Sequence, residues 1–184
     1  LALGNDASLW SQALTKFSFS FWVYQDVIAT SPADDAFINH ASLGTFPNGR
    51  FICSNEFAGH LSFFIKNSAG VNIAARFSNS ATAGIWRFIV CTYDNSLGSA
   101  NIKIYVDGQI GNVTGNLTEV VNLSAPLQIG DNSQPLQGKI KDFRWWTTKA
   151  LIQTEIDSIR NNSPNAPVPD YWLKMSEGSG NTVD

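Results

Sequence analysis

The sequence predicts an all-β fold, a sandwich of antiparallel strands with one short helix near its C-terminal end. Three observations lead there. Apolar and polar residues alternate with a period of two in run after run, the pattern of strands with one buried face. Clusters of Pro, Asn, Asp, Gly and Ser punctuate those runs at regular spacing, as turns between short strands do. Of the 184 residues, 43% are hydrophobic and only 15% are Asp, Glu, Lys or Arg. Such a chain can bury one sizeable core under a neutral surface rich in Asn, Ser, Thr and Gln, and one domain over 1–184 is expected.

The first run, Lys16 to Gln25, places Phe17, Phe19 and Phe21 on one face. Further strands are predicted at Ala36 to Leu43, Arg50 to Glu56, His60 to Lys66, Val71 to Phe77, Trp86 to Tyr93 and Asn101 to Val106. Asp107-Gly108 supplies the positive φ values of a tight hairpin turn. Leu127 to Gly130 and Lys139 to Trp146 are strand-like again. Ala150 to Ile159 carries Leu151, Ile152, Ile156 and Ile159 near the helical period, with Thr147 or Thr148 as N-cap. Three prolines between Asn161 and Pro169 predict an extended connector, and Tyr171 to Met175 a last strand.

A net charge of -3 and a pI near 5.3, without any cluster of Lys or Arg, argue against nucleic acid and anionic membranes as partners. No apolar run is long enough to span a bilayer, so membrane insertion is not expected. Leu1-Ala-Leu-Gly looks like a processed or excised start. Cys53 and Cys91 read as buried small hydrophobes, with a disulfide as the alternative in an oxidising compartment. Sequons at Asn112, Asn116, Asn122 and Asn161 are what an Asn-, Ser- and Thr-rich chain produces by chance.

Five segments, taken in order, resemble the laminin G-like branch of the concanavalin A-like lectin/glucanase superfamily. They are F-S-F-S-F-W-V at 17–23, W-R-F-I-V-C-T-Y-D at 86–94, I-K-I-Y-V-D-G at 102–108, L-Q-I-G at 127–130 and G-K-I-K-D-F-R-W-W-T-T-K-A-L at 138–151. The resemblance implies a jelly-roll of two stacked, curved antiparallel sheets. It also marks Y-W-L-K-M-S-E-G-S-G-N-T-V-D at 171–184 as the segment that usually opens such a domain, here placed last. Either residues 171–184 close this domain from the C-terminus, or they begin the next copy of a tandem array; closure is the reading adopted.

No recognisable catalytic machinery is expected. Glycosidases need two carboxylates about 5–10 Å apart, and the closest Glu-Asp pair, Glu155 and Asp157, lies two apart on the predicted helix, where side chains diverge. His40 and His60 fall in strands without an orienting carboxylate, and two Cys with two His lack zinc-ligand spacing. No cofactor is predicted, but the resemblance leaves calcium open. It puts Lys141 where related glucanases carry an Asp ligand, with Asp142 on the opposite face and the Lys ammonium standing in for the cation. The remaining candidate oxygen donors for a metal are Asp6, Asn181 and Asp184, with Asn5, Ser176 and Gly178 beside them.

Sugar recognition uses aromatic faces with nearby Asn, Asp or Gln. The resemblance assigns Trp22 and Trp86 to core positions and turns Trp145 inward with Phe143. Trp146, Arg144 and Asp142 are left on the outer face as the candidate ligand-binding trio, the alternative being a Trp146 covered by the following helix. Asp131 and Asn132 are added from the loop after L-Q-I-G, and the turns at Asn48 and Asp94 are further sources of polar contacts. The expected function is a non-catalytic lectin-like recognition or adhesion module, extracellular or on a virion or cell surface, with carbohydrate or a protein surface as partner and self-association as an option. A structural decoration or fibre domain is the alternative, and a glycoside hydrolase the third.

Overall fold

In the computed structural model, described for residues 14–28, 35–41, 49–56, 59–67, 69–78, 81–113, 116–120, 127–130 and 136–175, the alternating runs become the strands of two antiparallel sheets. The strands are β1 (Lys16–Gln25), β2 (Asp35–Ala41), β3 (Gly49–Glu56), β4 (His60–Lys66), β5 (Asn72–Phe77), β6 (Trp86–Asp94), β7 (Ile102–Val106), β8 (Gln109–Ile110), β9 (Asn112–Val113), β10 (Gln128–Ile129), β11 (Gly138–Trp146) and β12 (Tyr171–Leu173). One sheet runs β12-β11-β1-β6-β7-β8 and the other β10-β2-β3-β4-β5-β9. Together they make a jelly-roll sandwich.

The period-two pattern of β1 determines what fills the space between the sheets. Phe17, Phe19 and Phe21 point inward and are fully buried. Trp145 of β11 stacks beside them, with ring centroids 5.3 Å from Phe17 and 5.5 Å from Phe19. Phe63, from the opposite sheet, meets both edge-on at 6.2 and 5.4 Å. Burying side chains of this size stabilises the sandwich by about 1.5–3 kcal/mol each, and favourable ring pairs add about 0.5–1.5 kcal/mol. Cys53 and Cys91 face one another in the same core as free thiols, with sulfurs 3.6 Å apart.

Asp107 and Gly108 form the expected hairpin, at φ 52 and 84, directly between the paired residues Val106 and Gln109. The carboxylate of Asp107 also accepts from the Arg87 side chain and from the Phe88 backbone N–H.

The helix departs from expectation. It spans Gln153–Arg160 (α1), three residues later at its start than the apolar pattern suggests, and its N-cap is Ile152 rather than a threonine. Ser18 is the cause. Its buried hydroxyl donates to the Lys149 carbonyl and accepts from the Leu151 N–H, which ties the chain leaving β11 before it can coil. Glu155 then accepts from the exposed Ile152 N–H, and Thr147 is engaged elsewhere, by Asp170.

Helix α1 covers the outer face of the first sheet. Ile156, Ile159 and Leu151 pack on Phe88, Val90, Tyr105 and Trp146 to form a second, smaller core. Gln153 donates to the Gly108 carbonyl and latches the helix to the hairpin. After the helix, Asn162 turns the chain at φ 53. The proline-containing connector crosses Trp146, whose Nε1 donates to the Val168 carbonyl. Asp170 donates its N–H to the Trp145 carbonyl and accepts from Thr147, and so delivers β12 to the edge of β11. Residues 176–184 lie outside the described residues.

Candidate functional site

The strand β11 breaks its own alternation once. Opposite β1, Ser20 pairs with Arg144 and Trp22 with Lys141, so β11 has one more residue than its partner over that stretch. This is a β-bulge, and the extra residue bends the strand and re-aims its side chains. Asp142, at φ 56, sits in it. Ile140 still packs on the main core, while Lys141, Asp142 and Arg144 all line one groove on the outer side. The expectation that Asp142 and Lys141 occupy opposite faces is therefore corrected, because the inserted residue restarts the period.

The groove has a volume of about 410 Å³ and runs between β11, β12 and the end of α1. Lys141, Arg144, Arg160 and Lys174 contribute four cations to its lining, against the single carboxylate of Asp142. Two indoles line it, the half-buried Trp22 and Trp172, which is 48% exposed. The Trp172 indole is held in place nonetheless. Its Nε1 donates to Asp142 Oδ1 at 2.5 Å, and the Arg144 guanidinium lies 4.4 Å from its ring centroid. Arg144 in turn grips Asp142 with two hydrogen bonds, Nε to Oδ1 and Nη2 to Oδ2, each 3.0 Å. Carboxylate, guanidinium and indole thus form one braced unit.

Trp146 does not share in that groove. It is 2% exposed, beneath α1 and the connector, so the alternative of a covered Trp146 is the one realised. Trp22 packs on the second core, its ring centroid 5.1 Å from that of Phe88, whereas Trp86 differs from the core position assigned to it. Both are half-buried on the outer face, where the Lys141 ammonium lies 4.2 Å from the Trp86 centroid and 5.9 Å from that of Trp22. Asp131, Asn132, Asp6, Asn181 and Asp184 fall outside the described residues.

Trp172 and Lys174 were missed although a signal was present. In Y-W-L-K-M, Leu173 and Met175 pack on the core, so period two turns Trp172 and Lys174 outward together, an exposed indole next to a cation. Arg160 is drawn in only by the docking of α1.

The described residues of β11 do not fit a calcium ion. Lys141 brings a positive charge, and Asp142 already accepts hydrogen bonds from Arg144 and Trp172. Glu155 and Asp157 are likewise engaged, Glu155 with Lys149 and the Ile152 N–H, Asp157 with Gln153. Among the described residues no helix is long and apolar enough to cross a membrane.

Residues 2–157 match a laminin G-type family model of the concanavalin A-like lectin/glucanases superfamily. The chain belongs to that superfamily. One curated relative, botulinum neurotoxin type E of Clostridium butyricum, is 27% identical over 191 residues, which cover 91% of this superfamily member but 14% of the toxin. Among solved structures, a heptameric SAP-like pentraxin from Limulus polyphemus is similar at a TM-score of 0.63 and 13% identity, over 91% of this chain and 79% of that one. The CBM40 of the Ruminococcus gnavus IT-sialidase, solved with α2,3-sialyllactose, is similar at 0.62 and 10% identity over 80% of this chain and 83% of that one. The binding domain of botulinum neurotoxin DC, in complex with SialylT, is similar at 0.63 and 17% identity; the match covers 87% of this chain and 39% of that domain. At these identities the likeness shows the fold; of these neighbours, the toxin fragment is a binding domain and the CBM40 was solved with a bound sugar.

Proposed function

We propose that this superfamily member is a non-catalytic glycan-recognition module, active where glycans are displayed outside the cell or on a particle surface, and that its site is the groove beside Trp172. The observation that carries the reading is an indole left half exposed yet locked by Asp142 and Arg144 at the mouth of a groove of about 410 Å³. An indole face offers a flat apolar platform for the C–H surface of a sugar ring, and fixing it in advance lowers the entropic cost of binding. The volume lies toward the small end of the roughly 300–1,000 Å³ usual for small-molecule sites and suits one or two sugar rings. The single carboxylate of the groove, already bound by two donors, supports binding over hydrolysis, since glycosidases employ two. The sialyllactose and SialylT complexes of the CBM40 and the toxin domain add support from the same fold.

Glycan-array screening followed by calorimetry on the best ligand tests the proposal. Trp172→Ala is expected to abolish binding while leaving the circular dichroism spectrum unchanged. A Trp172→Ala protein that binds the same glycan with unchanged affinity places the site elsewhere and refutes it.

A further inference from the structure

Cys53 and Cys91 are the two cysteines of the chain, and the fold brings them together from opposite sheets. Cys53 lies in β3 and Cys91 in β6, 38 positions apart, yet both side chains are fully buried in one core with their sulfurs 3.6 Å apart. Two sulfurs at that distance are in contact, and a disulfide needs a further approach of roughly 1.5 Å. Their neighbours in register are large. Phe63 pairs with Cys53 and Phe19 with Cys91, and the two rings meet edge-on at 5.4 Å across the same space between the sheets. The small cysteines thus face one another beside an aromatic contact that already holds the sheets together. Burial pushes the Cys91 thiol well up, with Cys53 adding to the shift, so the folded chain supplies little of the thiolate that disulfide exchange requires.

We infer that Cys53 and Cys91 are a site of oxidative modification, which closes to a disulfide between the two sheets when the chain folds in the presence of an external disulfide. The thiolate of one cysteine attacks a sulfur of that oxidant, releases one thiol and leaves a mixed disulfide. The second cysteine, as its thiolate, then displaces the other thiol and closes the bond. Both cysteines lose their protons, and the oxidant takes up two electrons and two protons to become two thiols. The opportunity lies in folding itself, because the thiols of the unfolded chain meet solvent and the closed core excludes the oxidant. With no third cysteine, no wrong pairing within the chain competes. The dithiol described above is the form kept by a chain that folds under reducing conditions, and the disulfide is the form of one that folds under oxidising conditions. A bond across 38 positions restricts the unfolded chain and ties one sheet to the other, so the oxidised form is the more stable.

The test starts from the intact chain, reduced and unfolded in urea. It is diluted at low protein concentration into buffer holding reduced and oxidised glutathione, and its thiols are then counted by alkylation in urea and mass spectrometry. The refolded chain is expected to have lost two hydrogens, to carry neither glutathione nor alkyl label, and to melt about 4–16 °C above the same chain refolded with reductant. The reduced chain that is already folded should keep both thiols in the same buffer over the same time. The double variant Cys53→Ala, Cys91→Ala should melt at one temperature from either buffer, which separates the effect of the bond from that of the buffer. Refolding that leaves both thiols free, ends in glutathione adducts, or closes the bond with no rise in Tm would overturn the inference. Oxidation of the folded chain as fast as the refolding one would overturn it as well.

Discussion

Asp142→Asn removes one charge and one acceptor from the groove while leaving the backbone unstrained. The residue is in the left-handed region at φ 56, which Asn enters as readily as Asp, so the bulge is preserved. The amide keeps one oxygen as an acceptor for Arg144 Nε and Trp172 Nε1, but its NH2 cannot accept the second bond from Arg144 Nη2. With that bond goes the counter-charge of Arg144, whose side chain is only 7% exposed and whose Nε lies 3.0 Å from the carboxylate. Breaking a fully buried ion pair costs about 3–5 kcal/mol, and an exposed pair contributes about 0.2–1 kcal/mol. With the Asp142 side chain 23% exposed, solvent screening sets the loss between those limits, at about 2 kcal/mol. In a chain of this length that is a fall in Tm of about 4–8 °C. Urea unfolding followed by Trp fluorescence, with an unchanged m-value, measures it. Adding Arg144→Met to the same protein removes the stranded charge and should restore at least half of the loss. Stability of Asp142→Asn within about 0.5 kcal/mol of the parent, or a double variant weaker than the single one, would refute the braced unit as described.

Trp146→Ala is expected to destabilise the chain by about 3–5 kcal/mol, since it empties the centre of the second core and leaves the Val168 carbonyl without its donor; Trp172→Ala should cost less than about 1 kcal/mol, and equal losses in urea unfolding would contradict the assignment of one to the core and the other to the surface. Burial, reinforced by Glu119 and Asp94, pushes the Tyr93 hydroxyl up to about 12 while it donates to the Leu117 carbonyl. A folded pKa above the unfolded one means that stability is intact below about pH 10 and is lost as pH rises toward 12; Tyr93→Phe should flatten that alkaline limb, and an unchanged limb would exclude Tyr93 as its source. Cys53 and Cys91 are both fully buried, and burial, with the neighbouring Cys53, pushes the Cys91 thiol well up. A thiol reagent should therefore leave the native chain unlabelled and label two sulfurs in urea without reductant. Labelling of the native chain, or none in urea, would contradict a buried pair of free thiols.

Much of the sandwich was legible because strand alternation is a local property. The spacing of Phe17, Phe19 and Phe21 determined which face of β1 goes inward, and Asp107-Gly108 determined a two-residue hairpin through its own backbone preferences. The helix was legible as an element but not in its start, because Ser18, about 130 residues away in sequence, ties down Lys149 and Leu151. The same limit explains Trp146. Period two assigns it an outward face, but whether that face meets water depends on α1 and the connector folding back over it.

The groove belongs almost wholly to the tertiary structure. A bulge is defined by the count of residues on the partner strand, so no pattern within β11 alone could turn Lys141 and Asp142 to the same side. Trp172 meets Asp142 across 30 residues of chain, and Arg160 arrives with a docked helix. By itself the sequence determined an antiparallel sandwich, the residues of its central core and an acidic chain of low charge density, since each follows from composition or from neighbours one or two residues apart. Only the folded chain decided that Asp142, Arg144 and Trp172 would meet as one braced unit, because that meeting depends on which strand edges are paired.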